Sequence, residues 1–182
     1  MLEIGESLVA SGSAGACVVG SELVLHHPTA LAEIRPRDVR RMAGSLASWS
    51  DVDVFACMVA GQAYRDGRLA DSEILRWTRS RDRWWRRAAL VSTVPLNVRA
   101  QGGSGDSRRT LRVCRALVAD RDDLVVKALS WALRALAARD PAAVRRFLAS
   151  RRAQLAPRVV REVETQLRTG RKSRAPARAA AR

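Results

Sequence analysis

The sequence predicts an all-α fold in which antiparallel helices stack as an α-solenoid or a bundle, with about eight to ten helices. Two observations predict this class. No segment keeps the alternation of a strand, and valines such as Val125 and Val126 lie inside apolar patterns of helical period. The predicted helices are also joined by short breaks, and short connections make consecutive helices antiparallel neighbours.

The first predicted helices are defined by residues that start or stop them. Ser13 is expected to cap a helix that runs to about residue 27, where Pro28 stops it. Pro36 fits the first position of the next helix. Asp38 fits its first turn, where the helix dipole favours an acidic side chain. We expect this helix to end at about residue 48.

The remaining helices are expected over about 51–66, 70–80, 83–97, 107–119, 122–138, 141–150 and 157–168. The clearest restart is Asp140 followed by Pro141, a capping residue and then a first-turn proline. The segment QGGSGD at 101–106 is predicted to be a flexible link. The residues before Ser13 are only loosely patterned, so no helix is predicted there.

The charge is large and unevenly placed. The net charge is +15 and the pI is about 11.5. Residues 1–80 hold 8 basic and 10 acidic side chains, whereas residues 81–182 hold 25 basic and 8 acidic ones. Such asymmetry favours a nucleic-acid partner, and the arginine fork suits phosphate. A GC-rich codon bias accounts for most of the preference for arginine over lysine, but not for the asymmetry. An anionic membrane is the rival partner, and the sequence has no amphipathic anchor for it.

Other features exclude several classes of protein. The charge-free run 7–21 is rich in small residues, lacks a basic flank and is too short to span a bilayer, so no membrane segment is expected. Cys17, Cys57 and Cys114 are odd in number and far apart, which argues against disulfides and a zinc site. No P-loop or dinucleotide motif occurs. We therefore expect a cytoplasmic, nucleoid-associated protein without a metal or cofactor.

Three pieces of the sequence pair an aromatic residue with a charged residue on one helix face. They are Trp49 with Asp53, Trp84 with Arg87, and Trp131 with Arg134. They recur roughly every 35–45 residues, the period of stacked helical hairpins, so stacking brings them onto one surface. This surface combines aromatic faces, cations that suit phosphate and one carboxylate. The combination suggests a protein that holds a nucleic-acid backbone and acts on a sugar.

Each piece also has a purely structural interpretation. Ser50 with Asp53 matches a capping box, and Trp49 with Val54 matches a hydrophobic staple. This capping is compatible with a functional Asp53, because the helix dipole would hold a first-turn carboxylate ionised. Trp131 lies in a strongly helical run, where a tryptophan is by default part of the core.

The stretch RSRDRWWRRAA at 79–89 has five arginines, more than a solvated face needs. Its adjacent tryptophans, Trp84 and Trp85, point in different directions, so at most one shares a face with Arg87. We expect the other to lie in the core.

Four segments in register resemble the DNA alkylation-repair glycosylases of the AlkD type, which are built from HEAT-like helical repeats. The segments are SWSDVD (48–53), RSRDRWWRRAAL (79–90), VVKALSWALRALAARDPAAVRRFL (125–148) and LAPRVVREV (155–163). The third is the most specific. The resemblance runs from about residue 14 to 168 and implies one HEAT-like repeat domain over residues 1–168. The remaining TGRKSRAPARAAAR (169–182) is expected to be a disordered basic tail, either a DNA-binding arm or a solvated end.

The resemblance also implies roles for individual residues. In the family, the positions of Trp49, Trp131 and Asp53 surround the deoxyribose of a damaged nucleotide, and the position of Arg87 contacts a phosphate. The expected catalytic residues are therefore Asp53, Trp49 and Trp131. The expected DNA-binding residues are Arg87, which the resemblance supports, and the further sequence-based candidates Arg134, Trp84, Arg86 and Lys127. The family removes purines alkylated at N3 or N7 from duplex DNA without drawing the base into a deep pocket.

This chemistry needs little machinery, because an N3- or N7-alkylated purine is already cationic and leaves without a general acid. Positive charge then develops on the sugar, where Asp53 would stabilise it and could orient the attacking water. At ~4 Å and an effective dielectric constant of about 20, one carboxylate contributes roughly 4 kcal/mol. This corresponds to a rate factor on the order of a thousand.

One departure from the family leaves alternatives open. Relatives usually carry further N-terminal helices, so the sequence suggests a shortened paralogue, a mis-set start codon or a homodimer that covers its open end. Two other functions also fit. One is a non-catalytic helical-repeat module that binds distorted or branched DNA. The other is a protein-interaction solenoid whose basic half meets an acidic partner.

Overall fold

A computed structural model describes residues 1–27 and 29–171 of the protein. These residues form only helices, turns and connecting segments. The α-helices are α1 (Leu2–Ala10), α2 (Ala14–His26), α3 (Ala30–Glu33), α4 (Pro36–Ala43), α5 (Trp49–Phe55), α6 (Gly61–Arg65), α7 (Asp71–Trp77), α8 (Arg83–Val91), α9 (Ser107–Ala116), α10 (Asp123–Ala137), α11 (Pro141–Arg151) and α12 (Pro157–Thr169). A π-helical stretch, Ala56–Ala60, joins α5 to α6, and 3₁₀ turns occur at Arg99–Gln101 and Arg152–Gln154. The prediction of an all-α, solenoid-like fold is confirmed.

The helices stack in two layers. In one layer α2, α5, α8, α10 and α12 pack side by side in chain order. On the other side, α1 packs against α2 and α4, α7 packs against α8, and α9 and α11 pack against α10. The core between the layers contains large, fully buried side chains such as Phe55, Tyr64 and Leu133. The first layer therefore places α5, α8, α10 and α12 next to one another, and α5, α8 and α10 carry the predicted site residues.

Capping side chains begin α8 and α10, which carry site residues, and also α11. Asp82, Asp122 and Asp140 each accept hydrogen bonds from backbone N–H groups in the first turn of α8, α10 and α11. Pro141 follows Asp140 as the first residue of α11, so the predicted restart is confirmed. Such caps satisfy N–H groups that have no partner within the helix, and they fix where each helix starts.

The prediction that 101–106 is a flexible link is wrong. The buried Asn97 organises this segment, because its side chain donates to Thr93 O (3.0 Å) and Thr110 Oγ1 (2.9 Å) and accepts from Asp106 N (3.1 Å). Arg139 Nε also donates to Asn97 O at 2.8 Å. The preceding helix, α8, ends at Val91 rather than near residue 97. The chain between α8 and α9 is therefore a connection held by polar contacts.

The N-terminal helix α1 was not predicted, because the residues before Ser13, with Gly5 among them, are only loosely patterned. Gly5 and Gly20 instead let the two helices approach closely. A Cβ atom on Gly20 would lie 2.6 Å from Gly5 O and 2.9 Å from a methyl group of Val9. Glycine weakens a helix by about 1 kcal/mol relative to alanine, and the close packing of two helices offsets that cost here.

Gly20→Ala is expected to lower the free energy of unfolding by about 1–3 kcal/mol, because the new methyl group overpacks the contact between α1 and α2. Gly15→Ala in the same helix is the matched control, since a Cβ atom on Gly15 meets nothing within 4 Å. It should be neutral or stabilising by up to about 1 kcal/mol. Urea unfolding measures both changes. Equal stability of the two variants would contradict a close contact at Gly20.

Two further sequence predictions concern the C-terminal tail and membrane-spanning segments. The predicted tail at 169–182 lies, from residue 172 onward, outside the described residues. Within the part of the chain that the structure describes, no helix has both the length and the apolar character needed to cross a membrane.

Candidate active site

The first turn of α5 decides which carboxylate is available for the site. Ser48 is the N-cap residue, and its Oγ accepts from Asp51 N (3.2 Å) and donates to Asp51 Oδ2 (2.6 Å). The capping box predicted from Ser50 and Asp53 is therefore wrong, because the helix begins earlier and Asp51 is the capping carboxylate. Asp53 lies beyond the first turn, and its side chain faces α8.

Asp53 forms a bidentate ion pair with Arg87. Arg87 Nε donates to Asp53 Oδ1 at 2.8 Å, and Nη2 donates to Oδ2 at 2.7 Å. The other terminal nitrogen, Nη1, donates to Leu124 O at 2.5 Å. The Arg87 side chain is only 6% exposed. One arginine thus joins α5, α8 and the start of α10, and it fixes the orientation of the carboxylate.

Burial and ion pairing act in opposite directions on Asp53. Burial raises the pKa of its carboxyl group, while the hydrogen bonds and charge of Arg87 lower it, and the net shift is upward from 3.8. The sequence predicted that the helix dipole would hold this group ionised. The structure instead makes Arg87 the group that favours the carboxylate form, because Asp53 lies outside the first turn.

Asp53 opens onto a cleft of about 460 Å³, which we call the aromatic cleft. Two tryptophans form its aromatic faces. Trp49 is 59% exposed, so much of its ring faces solvent. Trp131 packs partly against the core and also lines the cleft, so its structural and functional interpretations are compatible. The full lining is Trp49, Asp53, Arg87, Leu124, Lys127, Trp131, Arg134 and Arg158.

The cleft brings together six of the predicted site residues from three helices. It adds Leu124 and Arg158, which the sequence did not single out. Arg158 lies at the start of α12 in the segment LAPRVVREV, so the resemblance of that segment was the available signal. No motif marked Leu124, which contributes to the site through its backbone carbonyl, the acceptor of a hydrogen bond from Arg87 Nη1.

Carboxylates hold the cations of the aromatic cleft in place. Lys127 Nζ lies 2.5 Å from Asp123 Oδ2, and Arg158 Nη1 lies 3.3 Å from the other oxygen of Asp123. These cations lower the pKa of Asp123. Arg158 Nε also donates to Glu162 Oε1 at 2.9 Å. Arg134 Nε lies 4.0 Å from Glu162 Oε2, and burial lowers the pKa of its guanidinium.

Trp84 and Arg86 do not line the aromatic cleft. Arg86 Nε donates to Asp120 Oδ2 at 2.7 Å, and its Nη1 donates to two backbone carbonyls of the turn before α8. Trp84 is half-buried against the core, with the Arg83 guanidinium 5.1 Å from its ring centroid. The neighbouring Trp85 is also half-buried, and its ring packs edge-on against Trp77. Contacts of Trp84 and Arg86 with DNA stay predictions.

Together, the fold and the aromatic cleft define an all-α, solenoid-like protein in which one arginine-bound carboxylate shares a cleft with two tryptophans and a set of cations. Residues 1–166 match the family model of DNA alkylation repair enzymes, and the chain belongs to that family. The family confirms the resemblance carried by the four sequence segments. It indicates an enzyme of alkylation repair that has DNA as its substrate. No curated protein and no solved structure gives a significant match.

Proposed function

We propose that the protein is a DNA glycosylase that hydrolyses the N-glycosidic bond of cationic N3- or N7-alkylated purines in duplex DNA. The observation that carries this proposal is the position of Asp53. Its carboxylate is oriented by Arg87 at the wall of an open cleft that Trp49 and Trp131 also line. A carboxylate flanked by aromatic faces is suited to a sugar that becomes positively charged.

The proposed reaction starts from a base that already carries a positive charge. The electrons of the bond between C1′ and the base nitrogen leave with the base, which becomes neutral. Positive charge develops on C1′ and the ring oxygen, and water adds to C1′ and loses a proton to solvent. The products are a free alkylpurine and an abasic site. The step needs no general acid, metal or cofactor.

Asp53 supplies the electrostatic stabilisation in this proposal. Two of its lone-pair sites accept from Arg87, and a carboxylate has about four such sites, so it can also face the sugar. At ~4 Å and an effective dielectric constant of about 20, the carboxylate contributes up to about 4 kcal/mol. Each tryptophan face can add about 0.5–2 kcal/mol by cation–π attraction.

The cations of the aromatic cleft are proposed to hold the DNA backbone. Lys127, Arg134 and Arg158 contribute charge without reading sequence. Arg87 uses three of the five N–H groups of a guanidinium on Asp53 and Leu124, and the remaining two can reach a phosphate. Discrimination would then come from the charge and the weakened bond of the lesion itself. All residues of the aromatic cleft fall within the domain expected over residues 1–168. A DNA substrate also agrees with the expected association of the protein with the nucleoid.

The test of this function is release of free purine from duplex DNA treated with a methylating agent. We expect the protein to release 3-methyladenine or 7-methylguanine and to leave abasic sites.

A second function is favoured by one observation, the neutralisation of Asp53 by Arg87. DNA binding without any base release would support that alternative, a non-catalytic module that binds distorted or branched DNA.

Glu162 is expected to position two cations of the aromatic cleft. It accepts from Arg158 Nε and from the buried Ser130 Oγ (2.6 Å), and it lies near Arg134. Glu162→Gln adds one positive charge, which by itself would tighten DNA binding. We expect binding to weaken by about 3- to 10-fold instead, because Arg158 and Arg134 lose the carboxylate that positions them, and this change corresponds to roughly 1 kcal/mol.

The matched control is Glu164→Gln, which removes the same charge from the same helix. Glu164 is exposed and pairs with Arg152 rather than with a cation of the aromatic cleft. Loss of the Glu164 charge should leave the affinity for duplex DNA unchanged or slightly increased. Fluorescence anisotropy at two salt concentrations measures both variants. Tighter binding by Glu162→Gln would contradict a positioning role.

A further inference from the structure

The arginine-rich stretch 79–87 has charges that the aromatic cleft does not use. Arg87 and Arg86 pair with Asp53 and Asp120. Arg83 lies over the Trp84 ring and 3.8 Å from Asp122. The other two, Arg79 and Arg81, are exposed and have no acidic partner within 4.0 Å among the residues that the structure describes. Of these two, Arg79 lines a second cleft.

This second cleft, which we call the arginine cleft, has a volume of about 380 Å³ and lies between α4, α7 and α8. Its lining is Arg40, Arg76, Trp77, Arg79, Ser80 and Trp85. None of these residues lines the aromatic cleft. Its apolar wall is the edge-to-face pair of Trp77 and Trp85, whose ring centroids are 5.2 Å apart.

A single carboxylate organises the cations of the arginine cleft. Glu73 is only 11% exposed, and it accepts from Arg40 Nη1 at 3.1 Å and from Arg76 Nη2 at 2.5 Å. Trp77 Nε1 also donates to it, at 3.2 Å. Glu73 therefore brings two guanidinium groups from different helices to one place. Both arginine side chains stay about half exposed, so their other N–H groups face solvent.

The charge balance of the arginine cleft favours an anion. Three arginines face one carboxylate, which leaves a net charge of +2. Guanidinium groups match the geometry of phosphate oxygens. The tryptophan wall next to them offers an apolar face to a sugar or a base, the combination with which proteins bind nucleic-acid strands.

We propose that the arginine cleft is a second phosphate site, which binds a phosphodiester group of the DNA away from the aromatic cleft. This inference rests on DNA being the ligand of the proposed function, but it does not depend on glycosidic chemistry. The site adds affinity and fixes the register of the duplex. It takes no part in breaking the bond.

The experiment compares Arg79→Gln with Arg145→Gln, using lesion-free duplex DNA at several salt concentrations. Arg145 is an exposed arginine on α11, so the control removes the same charge away from both clefts. Neutralising one phosphate contact should reduce the slope of log affinity against log salt by about 0.9. We expect that reduction for Arg79→Gln and for Arg40→Gln, and an unchanged slope for the control. Equal slopes for all four proteins, wild type included, would overturn the proposal.

Two further measurements distinguish the phosphate site from the glycosylase function and from a site for a free anion. Base release at sub-saturating protein should fall for Arg79→Gln in proportion to its loss of DNA affinity, and it should stay at the wild-type level for Arg145→Gln. If wild type releases no base but the slopes still differ, the proposed function fails while the phosphate site stands. Titration with inorganic phosphate tests a free anion as the ligand. Phosphate binding that is lost in Arg79→Gln without any change in the duplex slope would overturn the assignment to DNA.

Discussion

Asp53→Asn is expected to lower the rate of purine release by about a thousandfold, since a loss of about 4 kcal/mol corresponds to three decades. Asparagine keeps the size of the side chain and one acceptor for Arg87, but it removes the charge that stabilises the sugar. DNA affinity should stay within a few fold of wild type. It should rise rather than fall, because the cleft gains one net positive charge.

Single-turnover release from methylated duplex, with DNA affinity measured in parallel, tests this expectation. Asp51→Asn is the matched control, because it removes the same charge two residues before Asp53. The Asp51 carboxylate contacts Ser48 rather than the cleft. Its rate should be near that of wild type. Thermal unfolding of both variants is needed as well, because Asp53→Asn leaves the buried Arg87 without a counter-charge. Equal rate losses in the two variants would assign Asp53 a structural role only.

The sequence was most informative where one local signal determines one feature. The start of α11 follows from Asp140 and Pro141, because a capping side chain and a fixed backbone angle act within one turn. The grouping of Trp49, Asp53, Arg87 and Trp131 followed from spacing and from the resemblance. The structure places all four around one cleft.

Features that depend on packing across the chain could not be predicted in this way. The pair of Asp53 and Arg87 joins residues 34 positions apart, and helical periodicity carries no information about such a contact. Helix α1 was missed because the benefit of Gly5 and Gly20 exists only when two helices meet. The capping of α5 was misassigned because Ser48 with Asp51 and Ser50 with Asp53 match the same pattern. The two pairs are distinguished only by the backbone, which is extended at Ser48 and helical from Trp49 onward.

The ion pair also explains why Arg87 differs from the other cations of the aromatic cleft. Its side chain is nearly buried and it lowers the pKa of Asp53, whereas Lys127 is well exposed and pairs with the exposed Asp123. The contact of Arg87 with Asp53 therefore affects catalysis as well as DNA binding. This double role leads to a test by pH.

Arg87→Gln is expected to move the acidic limb of the rate profile to higher pH. In the wild type, burial raises the pKa of Asp53 and Arg87 partly counteracts that shift. Without the guanidinium only the raising effect is left, so the carboxylate is protonated at a higher pH. Because the reaction needs the carboxylate, activity is lost earlier as the pH falls. Spontaneous acid depurination, measured without protein, is subtracted at each pH.

The same variant should lose stability in a pH-dependent way. Removing one partner of a buried ion pair costs about 3–5 kcal/mol while the other stays charged. A carboxyl group whose pKa is raised in the folded state binds more protons there than in the unfolded chain. The free energy of unfolding of Arg87→Gln should therefore fall as the pH rises through the raised pKa of Asp53. Urea unfolding at several pH values measures this trend.

Arg112→Gln serves as the control for both readouts, because Arg112 pairs with the surface Asp71 on the other layer of helices. Its acidic limb should match that of wild type. The salt slope of Arg87→Gln adds a separate test, since a phosphate contact by Arg87 predicts a reduction of about one. A shifted acidic limb with an unchanged slope would make Arg87 a positioning residue for Asp53 alone. An unshifted limb would show that burial, and not Arg87, controls the ionisation of the carboxylate.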